Sequence, residues 1–325
     1  MRLLSTKTVH PSRRLLIWIM MLTASSSILP AVSQDPIEGS SKTALRQAIK
    51  QLLDAGRISE AQKQVKAEVA VRGETAETCL LEAQILFKQK QFKDSIQRVQ
   101  RSLALERRDP EAYKLLAFNG VALNRLDIVE PALKEALRLA PNDFVIHFHL
   151  GLLCYTTNRF SMAEGEFQIV TRLNPTYMKA YDLLGLAQEE LQNDEVVIGT
   201  YRRAIDSTEQ QKLSDESAYL HLAKFLWLRN RYSESLPPAR RAVELKPKSA
   251  ESYYVLARVL DKLGQEAEAV KMLQHSTQID PQYPESHYLL SRIYLRQGHE
   301  EQAQQEMATF EKVSRGKQQT RTGEQ

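Results

Sequence analysis

The sequence predicts an all-α fold that is built from repeated pairs of helices. The stretch from Phe144 to Tyr177 contains two helical patterns separated by a turn at residues 156–159. When the sequence is shifted by 34 residues in either direction, this stretch matches itself, and Pro175 falls on Pro141. A fixed period of this length is typical of stacked helix pairs, because one pair cannot bury its apolar face alone.

The period divides the chain into eight repeats that run from residue 42 to about residue 316. The register slips by four residues before the sixth repeat. The repeats begin at Lys42, Ala76, Pro110, Phe144, Met178, Glu216, Ala250 and Pro284. We number positions from the first residue of each repeat, so that a first helix precedes position 15 and a second helix follows it.

Positions 8 and 20 predict where the two helices of a repeat come close together. Position 8 is Gly, Ala or Ser in seven of the eight repeats. Helices that cross at roughly 8–10 Å leave no space for a large side chain at their contact. Position 8 holds Ile49, Ala83, Ala117, Gly151, Gly185, Ala223, Ala257 and Ser291. Position 20, the matching face of the second helix, holds Ala61, Ser95, Val129, Ala163, Val197, Ser235, Ala269 and Ala303.

Position 15 marks the turn between the two helices. Six of its eight residues are Gly or Asn, which tolerate the left-handed conformation that ends many helices. The eight residues are Gly56, Lys90, Asn124, Asn158, Gln192, Asn230, Gly264 and Gly298. In four repeats a proline at position 32 ends the second helix, at Pro141, Pro175, Pro247 and Pro281.

This period and these residues resemble the tetratricopeptide repeat. The resemblance covers about 276 of the 325 residues and implies a right-handed α-solenoid of helix–turn–helix repeats. It also implies a concave surface lined by positions 2, 5, 9 and 12 of the first helices, which binds segments of partner proteins. The Lys/Asn constellation by which some relatives bind the C-terminal carboxylate of heat-shock chaperones is not reproduced. Arg46 and Lys50 match its first positions, but Leu81, Glu111 and Leu115 occupy the others.

The concave positions give the candidate binding residues. These are Phe118, Phe148, Leu152, Tyr155, Trp227, Tyr254, Arg258, Tyr288 and Arg292. The first four are apolar and predict either a groove for an apolar partner segment or tighter packing of the solenoid. The last four alternate Tyr and Arg, a composition common among interface anchors. The alternative for them is a solvated face with cation–π pairs.

No catalytic or metal-binding motif is found in the sequence. It lacks a Gly-rich phosphate loop, an HExxH motif and a CxxC motif. His147 and His149 lie two residues apart on a helix, so their side chains point about 200° apart and cannot share a metal ion. We therefore expect no enzyme activity, no cofactor and no metal. Cys79 and Cys154 lie in different repeats, too far apart for a disulfide, and are expected to be free.

The N-terminal residues predict export. Residues 1–33 hold four Lys or Arg and no acid, then an apolar run and small residues at Ala31–Ser33, which is the order of a secretory signal peptide. A retained membrane anchor is the alternative, and Ser12–Arg14 leaves a twin-arginine route open. We expect a polar linker over residues 34–41 and a disordered tail over 317–325.

Charge and composition favour a protein partner. Without residues 1–33 the chain holds 40 basic and 40 acidic residues, so no overall basic field attracts nucleic acid. The sequence predicts an exported scaffold, periplasmic or secreted, that binds protein segments in an envelope or secretion-related assembly. Two alternatives stay open: a membrane-tethered assembly factor, and a substrate-platform subunit of an enzyme complex.

Overall fold

A computed structural model describes residues 38–212 and 215–323, with side chains described over 44–212 and 215–316. This part of the chain forms sixteen α-helices and no β-strand, so the predicted all-α fold is confirmed. The helices are α1 (Glu38–Asp54), α2 (Ile58–Arg72), α3 (Ala76–Lys88), α4 (Phe92–Leu105), α5 (Pro110–Ala122), α6 (Leu126–Leu139), α7 (Phe144–Thr156), α8 (Phe160–Leu173), α9 (Met178–Glu190), α10 (Asp194–Gln210), α11 (Ser217–Leu228), α12 (Tyr232–Leu245), α13 (Ala250–Lys262), α14 (Glu266–Ile279), α15 (Pro284–Arg296) and α16 (Glu300–Gly323).

The helices belong to two compact bodies. The N-terminal body spans Met1–Asn174 and includes α1–α8, and the C-terminal body spans Pro175–Gln325 and includes α9–α16. Within each body, every odd-numbered helix packs against the even-numbered helix that follows it, and that helix packs against the next odd-numbered one. The buried apolar residues form several clusters within each body, and some of these clusters join neighbouring repeats, as the one that contains Val65 and Leu81 does.

Local capping fixes where several of the first helices begin. The Asp109 carboxylate accepts a hydrogen bond from the Glu111 backbone N–H at 2.9 Å, and Pro110 occupies the first turn of α5. The Asp143 carboxylate likewise accepts from the Val145 N–H at 2.8 Å. These side chains satisfy donors that a helix start leaves unpaired, and proline has no N–H to satisfy there.

The turn between the two helices is left-handed in all eight repeats. Every residue at position 15 has a positive φ, including Lys90 at 62° and Gln192 at 57°, which are neither Gly nor Asn. At Asn124 the turn is a Schellman motif: the Arg125 N–H donates to the Gly120 carbonyl at 2.7 Å, and the Asn124 N–H donates to the Val121 carbonyl at 3.0 Å. The predicted role of position 15 is confirmed.

Positions 8 and 20 lie at the closest contact of each helix pair. Ala and Ser at these positions are buried, and the Ser95 hydroxyl donates to the Ala83 carbonyl at 2.8 Å across the contact. The two glycines at position 8 make space for an aromatic ring at position 24. A Cβ added to Gly151 would lie 2.6 Å from Phe167 Cε1, and one added to Gly185 would overlap the Tyr201 ring.

Two predicted boundaries differ from the structure. The first helix begins at Glu38, inside the predicted linker of residues 34–41, because no proline or charge run interrupts the chain between Ile37 and Asp54. The last helix continues to Gly323, so the predicted disordered tail is helical from 317 to 323. That segment contains Lys, Gln and Arg, which favour helices, and no proline. The predicted signal peptide, residues 1–33, lies outside the described residues.

The register slip after the fifth repeat lengthens a helix. Helix α10 has 17 residues, whereas the second helices α8 and α12 have 14. The fifth repeat has Glu209 at position 32, where four other repeats have proline, so nothing ends the helix at that point. Three of the added residues extend the helix by almost one turn, up to Gln210, and Lys212 then adopts a positive φ of 53°.

Candidate functional site

The predicted apolar groove on α7 is closed. Phe148, Leu152 and Tyr155 have 1%, 0% and 5% of their surface exposed, respectively. The Phe148 ring packs 6.0 Å from the Phe167 ring, centroid to centroid, and the Tyr155 ring packs 5.5 Å from that of Phe160. These three candidates therefore belong to the core, and the prediction that they form an open groove is wrong.

The composition of α7 explains this burial. All ten residues from Ile146 to Tyr155 are buried. A helix that is apolar on every side has no solvent face, whereas a helix that lines an open surface keeps one polar stripe. Phe118, on α5, is the one candidate of this group that stays half-exposed; its ring lies 4.6 Å from the imidazole of His149.

Two cations on the first helices of the N-terminal body, Arg46 and Lys114, are paired with carboxylates of the same body. Arg46 Nε donates to Glu77 at 2.7 Å, and its Nη2 donates to Asp109 at 3.0 Å. The Lys114 ammonium lies 2.6 Å from Glu111 and 2.7 Å from Asp143. Burial opposes the charge of Lys114, but the two carboxylates raise its pKa. These charges are satisfied internally.

The C-terminal body brings the other five candidates together on its first helices. We call the surface formed by Trp227 of α11, Tyr254 and Arg258 of α13, and Tyr288 and Arg292 of α15 the C-terminal inner face. Trp227, Tyr254 and Arg258 are half-buried, and Tyr288 and Arg292 are exposed. Unlike α7, these helices leave large aromatic and cationic side chains in contact with solvent.

Arg258 is held between two aromatic rings. Its guanidinium carbon lies 3.6 Å from the Trp227 ring centroid and 5.4 Å from that of Tyr254, both within cation–π range. The indole N–H of Trp227 donates to the Arg258 carbonyl at 3.2 Å, which fixes the ring relative to α13. Tyr254 packs against Tyr283 with centroids 5.5 Å apart, and burial raises the pKa of the Tyr254 hydroxyl, so that it stays a neutral donor.

Arg292 repeats this arrangement one repeat later. Its guanidinium carbon lies 5.9 Å from the Tyr288 ring centroid, and that ring packs 5.3 Å from Phe310 of α16. Leu295, at position 12 of the same helix, is 65% exposed. An arginine, a tyrosine and a leucine therefore stand together at the solvent-facing side of α15.

Comparisons with known proteins agree with this repeat architecture. Residues 228–309 match the family model described as anaphase-promoting complex, cyclosome, subunit 3. No curated protein matches significantly. Among solved structures, the C-terminal part of a tetratricopeptide repeat-containing protein from Cytophaga hutchinsonii has a TM-score of 0.59 and 15% identity, over 71% of this chain and 94% of that one.

Two further solved structures have a similar fold. Pseudomonas aeruginosa pilF has a TM-score of 0.51 and 12% identity, over 67% of this chain and 97% of that one. The anaphase-promoting complex hetero-tetramer Cut9–Hcn1 has a TM-score of 0.50 and 15% identity, over 75% of this chain and 48% of that one. Identities this low establish the fold alone.

The chain has the tetratricopeptide-repeat fold. The decisive observation is the set of sixteen helices, paired through left-handed turns at one recurring position and similar to a solved tetratricopeptide protein.

Two tetratricopeptide repeats carry a histidine contact that was not predicted. His147 Nδ1 lies 2.7 Å from the Glu166 carboxylate, and its Nε2 lies 2.9 Å from the Pro141 carbonyl. His287 makes the same two contacts, with Glu306 at 2.6 Å and the Pro281 carbonyl at 3.1 Å. The sequence signal was the pairing of His at position 4 with Glu at position 23, which occurs only in the fourth and eighth repeats.

The contacts of His147 favour the doubly protonated ring. Both partners of His147 are acceptors, so the imidazolium satisfies both, whereas the neutral ring has only one N–H. The hydrogen bond that His147 donates to Glu166 is the main cause that raises the pKa of His147, and burial opposes it. His149 is the reverse case: it is buried, neither ring nitrogen has a hydrogen-bond partner, and burial lowers its pKa to about 3.

Neither a metal site nor a membrane-spanning helix is found among the described residues. Over residues 38–212 and 215–323, no group of three His, Cys, Asp or Glu side chains is arranged to hold a metal ion. In the same ranges no helix is long and apolar enough to cross a bilayer. Cys79 and Cys154 are buried free thiols, as predicted, and burial raises the pKa of Cys79 to about 11.

Proposed function

We propose that this protein is an exported interaction scaffold that binds a segment of a partner protein on its C-terminal inner face. One observation carries the proposal: tyrosine and arginine recur at positions 5 and 9 of α13 and α15, beside Trp227 of α11, and all five side chains are at least partly exposed. Trp, Tyr and Arg are the residue types that contribute most binding energy at protein interfaces. Repeat arrays of this kind use such surfaces for binding.

The related folds support an interaction role. The Cut9–Hcn1 structure is a hetero-tetramer, so a protein of this fold takes part in a multi-chain assembly there. The family model that matches residues 228–309 belongs to a subunit of a complex and covers most of the C-terminal inner face. A partner that covers one large side chain of this face would gain roughly 1.5–3 kcal/mol.

Site-specific photo-crosslinking in the native host tests this proposal. A photoreactive amino acid replaces Tyr288 on the C-terminal inner face, and a matched variant carries it at Ile279, an exposed apolar residue at the end of α14. We expect a discrete crosslinked adduct from the Tyr288 position and none from Ile279. Adducts from both positions, or from neither, would contradict the proposal.

Export is proposed from the order of residues 1–33: positive charges, an apolar run and small residues. We propose that the mature chain begins near Gln34 and acts in an envelope or secretion-related assembly. N-terminal sequencing of the protein from the native host tests this. An intact chain in the membrane fraction would favour the membrane-tethered alternative, and an intact chain in the cytosol would contradict export.

A further inference from the structure

The two arginines of the C-terminal inner face lack a carboxylate partner. Arg258 and Arg292 make no ion pair with any described residue. Two other cations on these helices are paired: Lys224 with Glu251, and Arg296 with Asp261. Two arginines without an ion pair, at position 9 of adjacent repeats, are a feature of this face.

We propose that the C-terminal inner face recognises an extended protein segment carrying two carboxylates on one side, two residues apart. The inference rests on the proposed function, and it adds the chemistry and spacing of the partner segment. The partner is identified by charge complementarity, because each carboxylate supplies the counter-charge that its arginine lacks in the chain itself.

The aromatic contact of Arg258 holds its guanidinium in position to bind a carboxylate. Arg258 stacks on the Trp227 ring at 3.6 Å, which holds the guanidinium in place without using any of its N–H donors. The donors lie in the plane of the guanidinium, where a carboxylate accepts two parallel hydrogen bonds. Because the side chain is already ordered, binding costs less conformational entropy than it would for a mobile surface arginine.

The repeat geometry sets the spacing of the carboxylates. Arg258 and Arg292 occupy the same position of helices α13 and α15, and packed helices lie roughly 8–10 Å apart. In an extended segment, side chains two residues apart point to the same side and are separated by about 6.6 Å. The side chain of Arg292, which is exposed and less closely held than that of Arg258, covers the difference. Adjacent carboxylates would point to opposite sides, and only one could be bound.

A protein segment fits this face better than a polyanion does. Glu285 lies on the same face, exposed and without an ion pair among the described residues, and Glu251 and Asp261 are close by. A nucleic acid carries a phosphate at every nucleotide, so some of its charges would lie against these acids, whereas a segment with two carboxylates places its charges at the two arginines. Leu295 and Tyr288 are exposed beside Arg292, which favours a segment with an apolar side chain between or next to its carboxylates.

Labelled peptides and the full chain test the proposal by fluorescence anisotropy. The probes share a Gly/Ser host sequence and differ in a central triplet: Glu-Leu-Glu, Gln-Leu-Gln, or Glu-Glu-Leu. We expect the first to bind about a hundredfold more tightly than the second, since each of the two charge-assisted contacts contributes about tenfold. The Glu-Glu-Leu peptide should bind about tenfold more weakly than the first, because it reaches one arginine only.

Matched variants assign the effect to the two arginines. Arg258→Gln and Arg292→Gln should each weaken Glu-Leu-Glu binding about tenfold and leave Gln-Leu-Gln binding unchanged. The control is Arg241→Gln, an exposed arginine on α12 that pairs with Glu244. Arg258→Lys keeps the charge but loses the planar fork, and should weaken binding as well. Circular dichroism checks that each variant is folded.

Several outcomes would overturn the proposal. Equal affinity for the Glu and Gln peptides, or no binding of either, would refute the proposal that this face recognises carboxylates. If crosslinking at Tyr288 still gives an adduct, the proposed function would stand with a different partner chemistry; without an adduct, both would fail. Tighter binding of a single-stranded oligonucleotide or of phosphatidylglycerol vesicles through the same arginines would mean that the ligand of this face is a nucleic acid or a lipid rather than a protein segment.

Discussion

Replacing Gly151 with alanine should destabilise the N-terminal body, although alanine normally strengthens a helix. The added Cβ would lie 2.6 Å from Phe167 Cε1, closer than carbon atoms pack, and the Phe167 ring is fully buried. Overpacking of this kind costs about 1–3 kcal/mol, and the gain in helix propensity is about 1 kcal/mol. We therefore expect a net loss of up to roughly 2 kcal/mol of unfolding free energy.

A smaller partner should reverse the sign of this effect. The third and seventh repeats combine alanine at position 8 with leucine at position 24, as in Ala257 and Leu273, and both residues are fully buried there. In a Phe167→Leu background, Gly151→Ala should therefore stabilise the protein by up to about 1 kcal/mol. The matched control is Gly165→Ala in α8, where an added Cβ meets nothing within 4 Å and should stabilise in either background.

The assay is equilibrium urea unfolding followed by circular dichroism, with hydrogen exchange of peptides from α7 and α8 to localise the change. The two-background comparison isolates the contact between positions 8 and 24. If Gly151→Ala raised the midpoint as much as Gly165→Ala does, the size complementarity at this contact would be refuted.

Three other predictions follow from burial, titration and backbone strain. Phe148→Ala should lower the unfolding free energy by about 3–5 kcal/mol, because the Phe148 ring is buried in the core. A much smaller loss, measured by urea unfolding, would contradict this burial. The pKa of His147 is raised in the folded protein, so the stability that His147 contributes is fully present below pH about 6.5 and is lost as the pH rises through its folded pKa. The pKa of His149 is lowered by burial, so the protein loses stability as the pH drops from about 6.5 toward 3. Unfolding of His147→Gln and His149→Phe variants across this range checks both slopes, and an unchanged slope would contradict them. Lys90→Gly should stabilise by about 1 kcal/mol by relieving its left-handed φ, and a lower thermal midpoint would contradict this.

The sequence predicts the repeat fold well because the residues at the turns and at the helix contacts are chosen for local physical reasons. Glycine and asparagine at position 15 and small residues at position 8 report backbone conformation and close packing directly. Even Lys90 and Gln192, which break the residue pattern, adopt the left-handed turn, because the packing of the flanking helices imposes it. The repeat period therefore carried more information than the residue type at those two positions.

The candidate site was harder to predict, because position alone does not reveal exposure. Phe148 and Tyr288 both occupy position 5, yet the first is 1% exposed and the second 42%. The difference lies in the whole helix: α7 is apolar on every side, whereas α15 carries arginines. The contacts of His147 and His287 depend on residues 19 positions later in the chain, a separation that helical periodicity does not reveal.

The His287 contact also bears on the order in which the repeats open. The terminal repeat of such an array has a neighbour on one side only and is the first to fray. A single imidazole joins α15 both to α16, through Glu306, and to the end of the preceding repeat, through the Pro281 carbonyl. Opening of α16 alone breaks the Glu306 contact of the imidazole, whereas opening of the whole last repeat also breaks the contact with the Pro281 carbonyl. The contact with Glu306 therefore makes it less favourable for α16 to open by itself.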